Sequence, residues 1–432
     1  MIAQESFVVV AEVPQERIEP LRALLAEMTL PGIFGAADPN NPILPFARYD
    51  TIHFARFAVL EDHSLGDRAA YPQLPRAEPT YLLFMADCDG DADDLLRCLA
   101  RECPGLRQIF GNCVQGPGLN LAAWLLAHRT KPAASYVNWV GRTVRQVREE
   151  AALRAALREA LRKTTESEPQ KLRAELRRVA GAATKLTPDP PTPFATQVRT
   201  LLDFIAPILI ALVCLLVFPL LTLAVLIIGL IVFALELRRR ELTDPVLENP
   251  YDLVWVDRLR LGEDHDVTNQ YTAMGSIKPG LFRLAVARVA LSAIGWAARH
   301  IFDRGALARI GTIHFAHWVF LDSRRRMVFC SNYDGAHEAY MDDFINKVGF
   351  GLNLSFSGAI AYPPTDWLIA KGAWREQDFK RFQRYHQIPT DVWYKAYPGL
   401  TARDLSRNSY VRNGFERATM TDDEIRRWLS EI

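Results

Sequence analysis

Imidazole suits proton transfer and metal ligation near neutral pH, and two histidines of this chain stand in a phrase it uses twice. Thr51-Ile52-His53-Phe54-Ala55 recurs as Thr312-Ile313-His314-Phe315-Ala316. Three residues beyond each histidine a second polar side chain interrupts the apolar run: Arg56 in the first copy, His317 in the second. A polar group in mid-strand must find a partner. Further on, Asp89-Gly90 answers Asp334-Gly335, with Asn332 two residues ahead of Asp334. His317, Asp334 and Arg56 are therefore the candidate catalytic groups, and His314, His53 and Asn332 the candidates for holding a cofactor. A neutral imidazole nitrogen suits iron, and a carboxylate or carbonyl partner fixes its tautomer. A structural role competes with this one. The histidines would bond backbone or carboxylate groups, and each Asp-Gly would cap a helix and ease a turn. Repetition favours the structural role, because asymmetric catalysis needs only one copy.

The phrases belong to a longer repeat. Phe84 answers Phe329, Gly105-Leu106 with Phe110 answers Gly351-Leu352 with Phe356, Pro117 answers Pro363, and Trp124-Leu125 answers Trp367-Leu368. Shared order over about a hundred residues fixes the architecture before any motif is read. In the first copy, strands are expected at Phe7–Val13, Ile52–Leu60 and Tyr81–Asp87, with a short fourth near Gln108–Val114. Helices are expected after Ile18 and over Asp91–Arg101. The second copy predicts strands at Gln270–Ile277, Ile313–Leu321 and Arg326–Asn332, a helix from Pro279 to about Phe302, and another over Ala336–Lys347. The order is that of a ferredoxin-like α+β fold. Strict alternation would put His53 on the face of Ala55 and Phe57, and Arg56 on the other. The expected fold class is α+β, as tandem duplicated ferredoxin-like half-domains with helical extensions and a membrane-inserted helical hairpin between them. The expected divisions are 1–140, 141–200, 201–240, 241–365 and 366–432.

Two such halves, packed through their bare sheet faces about a pseudo-two-fold axis, resemble the dimeric α+β barrel superfamily. That superfamily includes dye-decolourising peroxidases and chlorite-dismutase-like proteins, which bind haem, and monooxygenases that bind none. Ser331-Asn332-Tyr333-Asp334-Gly335 and Ala86-Asp87-Cys88-Asp89-Gly90 keep the Asp-Gly of the peroxidases' Gly-x-x-Asp-Gly motif without its leading glycine. The resemblance implies a cavity for haem or a hydrophobic small molecule, with one imidazole as axial ligand and an Arg or Asp opposite.

Between the copies, Phe204–Leu235 carries no charge. It exceeds the ~20 residues of one spanning helix and falls short of two. Pro219 lies near its middle, so it is either one kinked helix or a hairpin turning at Phe218-Pro219. Pairing of the halves requires both ends on one side, which selects the hairpin. Arg238-Arg239-Arg240, and Arg199 at the other end, place that side in the cytoplasm.

Net charge is +1, which argues against a nucleic-acid binder. The six cysteines form no CxxC pair, so neither a disulfide framework nor a zinc site is expected. No signal peptide, P-loop, dinucleotide fingerprint, Gly-x-Ser-x-Gly elbow or His-Glu-x-x-His is seen. The basic stretch 142–163 is amphipathic and suits either anionic lipid or its own domain. Gly181–Ala195 reads as a Pro-rich linker. The aromatics of the C-terminal part suit packing or an interfacial belt. Two functions follow: a cytoplasm-facing membrane protein that binds haem or a hydrophobic molecule with peroxidase-like chemistry, or a non-enzymatic, self-assembling or lipid-binding membrane scaffold. The partners expected are the bilayer, a hydrophobic small molecule and further copies of the chain.

Overall fold

Two antiparallel sheets form the body of the molecule. The computed structural model describes residues 4–70, 78–188, 194–247, 250–302 and 304–432. It is 52% helix and 19% strand, a mixed class with antiparallel sheets. The strands that matter are β1 (Gln4–Glu12), β2 (Ile52–Leu60), β3 (Tyr81–Asp89), β4 (Arg129–Thr130), β5 (Ala134–Val137), β6 (Thr268–Ser276), β7 (Ile313–Leu321), β8 (Arg326–Asp334) and β9 (Val392–Lys395). The first sheet runs β9-β2-β3-β1-β4 and the second β5-β7-β8-β6.

The edges of both sheets depart from expectation. β5 pairs with β7 in the second sheet, Ala134 opposite Trp318. β9 pairs with β2 in the first, Val392 opposite Phe57. Each sheet is thus completed by a strand from the other end of the chain, so the divisions at 140 and 365 do not coincide with the sheets. No strand forms at 108–114. Leu106, Ile109 and Phe110 are fully buried at helical spacing on the helix Gly105–Phe110, and the fourth strand is β4. The helical extension expected after the first copy is not continuous: Pro132 cannot continue a helix, and β4 and β5 intervene before Val144.

The helices of interest are α1 (Ile18–Ala26), α2 (Ala92–Glu102), α3 (Val144–Lys163), α4 (Pro169–Ala183), α5 (Phe194–Val217), α6 (Pro219–Glu241), α7 (Leu281–His300), α8 (His337–Phe356), α9 (Ala402–Glu416) and α10 (Asp422–Leu429). α1 and α2 cover the outer face of the first sheet through Leu21, Leu25, Leu96 and Leu99. α7 and α8 cover the second through Leu291, Tyr340, Phe344 and Leu352. The inner faces meet each other. Val8, Leu83 and Met85 of one sheet share a buried cluster with Met274, Val319 and Val328 of the other. The apolar face of the basic stretch 142–163 packs on its own domain. Leu153, Leu157 and Ala160 of α3 are buried against Leu176 of α4, Val411 of α9 and Trp428 of α10. Most C-terminal aromatics are likewise core, among them Phe379, Phe382 and Tyr385. The Pro-rich linker runs into 189–193, outside the described residues.

α5, α6 and α7 are all long and apolar enough to cross a membrane. α5 and α6 meet at Phe218, where the backbone turns (φ −131°, ψ 58°) and Pro219 opens the second helix. Both bases rest on the body. Asp203 bonds Arg299 at 3.2 Å and His300 at 3.0 Å. Glu241 accepts from Thr365 Oγ1 and from the backbone N–H groups of Trp367 and Leu368, at 2.8–2.9 Å.

Candidate functional site: paired histidine–aspartate hubs

The repeated phrase builds a matched pair of hubs where the sheets meet. β2 and β7 each carry a bulge between Ile and Phe, so that His53 and His314 have no partner in the ladder. A bulge re-aims a side chain, and it breaks the strict alternation expected from the sequence. Each imidazole turns onto its Asp-Gly aspartate. His53 Nε2 lies 3.0 Å from Asp89 Oδ1, and His314 Nε2 lies 2.7 Å from Asp334 Oδ1. The second carboxylate oxygen takes a helix N-terminus. Val144 N–H donates to Asp89 Oδ2 at 2.9 Å, and Ala402 N–H donates to Asp334 Oδ2 at 2.7 Å. The aspartates therefore help to cap α3 and α9. The helices that follow them directly are handled differently: Asp91 caps α2, and Ala336 precedes α8 with no side-chain cap. Thr143 and Thr401 complete the two N-termini with capping boxes.

The correspondence extends to the exchanged strands. Asn138 N–H donates to His314 O and Ala396 N–H to His53 O, both at 2.9 Å. The rings interlock between the two sheets: His53 with Phe315 at 5.5 Å, His314 with Phe54 at 5.3 Å, and Phe54 with Phe315 at 5.6 Å.

Arg56 and His317 reach across the interface in matched fashion. Arg56 donates to Asn332 Oδ1 at 2.5 Å, Tyr271 O at 2.7 Å, Thr272 Oγ1 at 2.9 Å and Ser331 O at 2.9 Å. His317 Nε2 lies 2.6 Å from Asp87 Oδ1, and its Nδ1 lies 3.0 Å from Ser135 Oγ. Asp87 and Asn332 stand in the same place on β3 and β8, each opposite a residue of the bulged strand, Phe54 and Phe315. All six sequence candidates are thus at one interface, and all but Asp334 are buried there. Sequence reading missed their principal partners, Asp87, Ser135 and Tyr397. Only Asp87 carried a signal, two residues before Asp89.

Haem needs an imidazole nitrogen facing an open slot. His317 has both ring nitrogens engaged, and so does His53, whose Nδ1 faces the Tyr397 hydroxyl at 3.2 Å. His314 Nδ1 has no hydrogen-bond partner, but the ring is 1% exposed and packed against Phe54 and Tyr397. These residues do not fit haem. Among the described residues no group of three or more His, Cys, Asp or Glu could hold a metal ion.

A cleft lies elsewhere. It has a volume of about 200 Å³ and is lined by Arg22, Arg68, Arg258, Trp255, Ile388 and Asp391, among others. Burial pushes the Asp391 carboxyl up to about 6, against the pull of the Val59 N–H that it accepts at 2.8 Å and of Arg22. An acid with a raised pKa in a cleft marks a candidate site. Nothing local in Pro389-Thr390-Asp391 signals it, because the cleft is assembled from segments far apart in the chain.

No family model matches the chain, and no curated protein or solved structure matches it.

Proposed function

We propose that this is a non-enzymatic membrane scaffold: an internally duplicated pair of ferredoxin-like halves, fused into one rigid body and held on the cytoplasmic face of a bilayer by the α5–α6 hairpin. The observation that carries the reading is the filled interface. The inner sheet faces, which would enclose a cofactor in an α+β barrel, are closed by Val8, Leu83, Met85, Met274, Val319 and Val328, none more than 2% exposed. The polar groups there bond each other across the axis. Meanwhile Ile208–Leu235 leaves apolar side chains such as Leu216, Leu220 and Ile228 at 62–82% exposure, which suits a segment inserted in lipid. The duplication supplies internally the sheet contact that two copies would otherwise make, so self-assembly has only the hairpin and the outer surface to use. Arg238–Arg240 at the base of α6 support the cytoplasmic side. Two measurements on one purified sample test this: flotation with liposomes, and an absorbance spectrum after incubation with haem. Flotation without a Soret band is expected. A stoichiometric Soret band lost in His317→Ala overturns the scaffold reading.

The Asp391 cleft favours a second function, binding of a small molecule with an anionic group. Arg258, over the Trp255 ring, supplies the charge and Ile388 an apolar wall, whereas Arg22 and Arg68 are already paired with Glu61 and Asp62. Saturable binding lost in Arg258→Ala is the evidence it requires.

A further inference from the structure

We infer that the hairpin ends inside the hydrocarbon and does not cross it, and that α7 lies flat in the membrane interface beside it, so that the protein enters the bilayer from one side only. This rests on the membrane reading above and goes beyond it.

Length is the first ground. From the uncharged starts at Phe204 and Leu235 to the turn at Phe218, the arms reach about 21 Å and about 25 Å at ~1.5 Å per residue. The hydrocarbon core is about 30 Å thick. The second ground is the tip. Val217-Phe218-Pro219-Leu220 offers no polar side chain to water or headgroups on a far side. Part of its backbone bonds to itself. Pro219 has no N–H, Phe218 N–H donates to Cys214 O at 3.1 Å, Thr222 N–H donates to Phe218 O at 2.8 Å, and the Thr222 hydroxyl donates to Cys214 O at 2.8 Å. In lipid a backbone polar group needs an internal partner, and these bonds supply one for the Phe218 N–H, the Phe218 C=O and the Cys214 C=O.

α7 supplies the third ground. By composition it could span, but it connects β6 to β7 of one sheet, and its inner face is buried on that sheet. Its outer face carries Leu281 and Val289, 85% and 71% exposed. The hairpin arms fix its height. Phe204 of α5 stacks on Trp296 at 5.5 Å, and Phe233 of α6 meets Phe282 at 5.7 Å. Phe204 lies 218 − 204 = 14 residues from the turn and Phe233 lies 233 − 218 = 15. The two ends of α7 therefore touch the arms at one depth, and the helix runs across the base of the hairpin. A third element stands further from the turn, at Arg238, 238 − 233 = 5 residues beyond Phe233. Trp367 and Ile369 project 52% and 57% exposed beside the base of α6, with Arg238 over the Trp367 ring at 5.9 Å. Trp367 and Leu368 are held in left-handed backbone (φ 55° and 65°), which bulky residues rarely adopt. Their N–H groups are pinned to Glu241. Trp at the headgroup level with Arg beside it is the composition of an interfacial anchor.

Depth quenching tests all of this in the full chain, in a Cys98→Ser, Cys214→Ala background so that only an introduced cysteine labels. A nitrobenzoxadiazole probe is placed at Phe218→Cys, Val289→Cys or, as a solvated control, Asp94→Cys, and the protein is bound to phosphatidylcholine–phosphatidylglycerol vesicles. The 218 probe should be quenched most by nitroxide deep in the acyl chain and by iodide on neither side. The 289 probe should be quenched most by nitroxide near the headgroup. Quenching of the 218 probe by iodide trapped inside the vesicles overturns the re-entrant hairpin. Quenching of the 289 probe by outside iodide, with none by lipid nitroxide, overturns the flat α7. Failure of every variant and of the parent to float with vesicles contradicts the membrane reading itself, a separate outcome.

Discussion

At the scale of single residues, the candidate chemistry turns into fastening. Asp334 holds three donors: His314 Nε2, Thr268 Oγ1 and Ala402 N–H, each at 2.7 Å. Removing the acceptor leaves buried donors unpaired. Asp334→Ala should cost about 2–3 kcal/mol in chemical denaturation, against about 0.5 kcal/mol or less for the exposed Asp94→Ala. Asp87 and His317 form a pair that is almost wholly buried. His317→Ala or Asp87→Ala should each destabilise by about 3–5 kcal/mol. His317→Ala combined with Asp87→Ala should cost clearly less than the two single losses added, and a double-mutant cycle giving simple additivity would contradict the coupling. Asp391 gives a pH signature. Its carboxyl is raised to about 6 when folded, and it titrates near the usual ~3.9 when unfolded. The folded state then binds the proton first, so this group's contribution to stability is full below about pH 4 and is lost as pH rises through about 6. Between pH 4 and 7 the wild type should lose more stability with rising pH than Asp391→Asn, as read by denaturation at each pH. Equal slopes for the two proteins would contradict the raised value.

At the scale of elements, what was legible follows from how local the signal is. β2 and β7 appear at the expected bounds because a nine-residue apolar run with a repeated phrase leaves no alternative. The hairpin was legible from one uncharged stretch and one proline. β5 and β9 were not. Each has four residues, and their partners lie at Phe315–Trp318 and Phe54–Phe57, so no local pattern marks them. The hubs were half legible: the sequence picked out His53, His314, Asp89 and Asp334, but not that the aspartates reach helices some 55 and 68 residues onward. The bulges that aim the histidines have no signal in a period-two reading. Exchange of β5 and β9 also predicts interdependence. Residues 1–200 produced alone would lack β9 and expose Val8, Leu83 and Met85. They should aggregate, and coexpression with residues 241–432 should yield a soluble one-to-one complex by size exclusion. A monodisperse, folded fragment 1–200 would count against the exchange.

At the scale of the whole molecule, two sheets share one interface, and both arms of an apolar hairpin return to the same body. Asp203 anchors one arm to α7, and Glu241 anchors the other beside Thr365. Asp244, just past α6, binds Lys278 at 2.8 Å and also Arg283, which ties the exit of the hairpin to the start of α7. Anchors of this kind on both arms do not allow the two bases to lie on opposite sides of a bilayer. The most direct test is accessibility of single cysteines at Phe194 and Leu242, 79% and 69% exposed at the outer ends of the two arms, in the background lacking Cys98 and Cys214. Sealed vesicles of known orientation are treated with a membrane-impermeant maleimide from one face at a time. Both positions should label from the same face, the cytoplasmic one, and neither from the other. Labelling of one position from each face would contradict a body anchored on one side of the membrane.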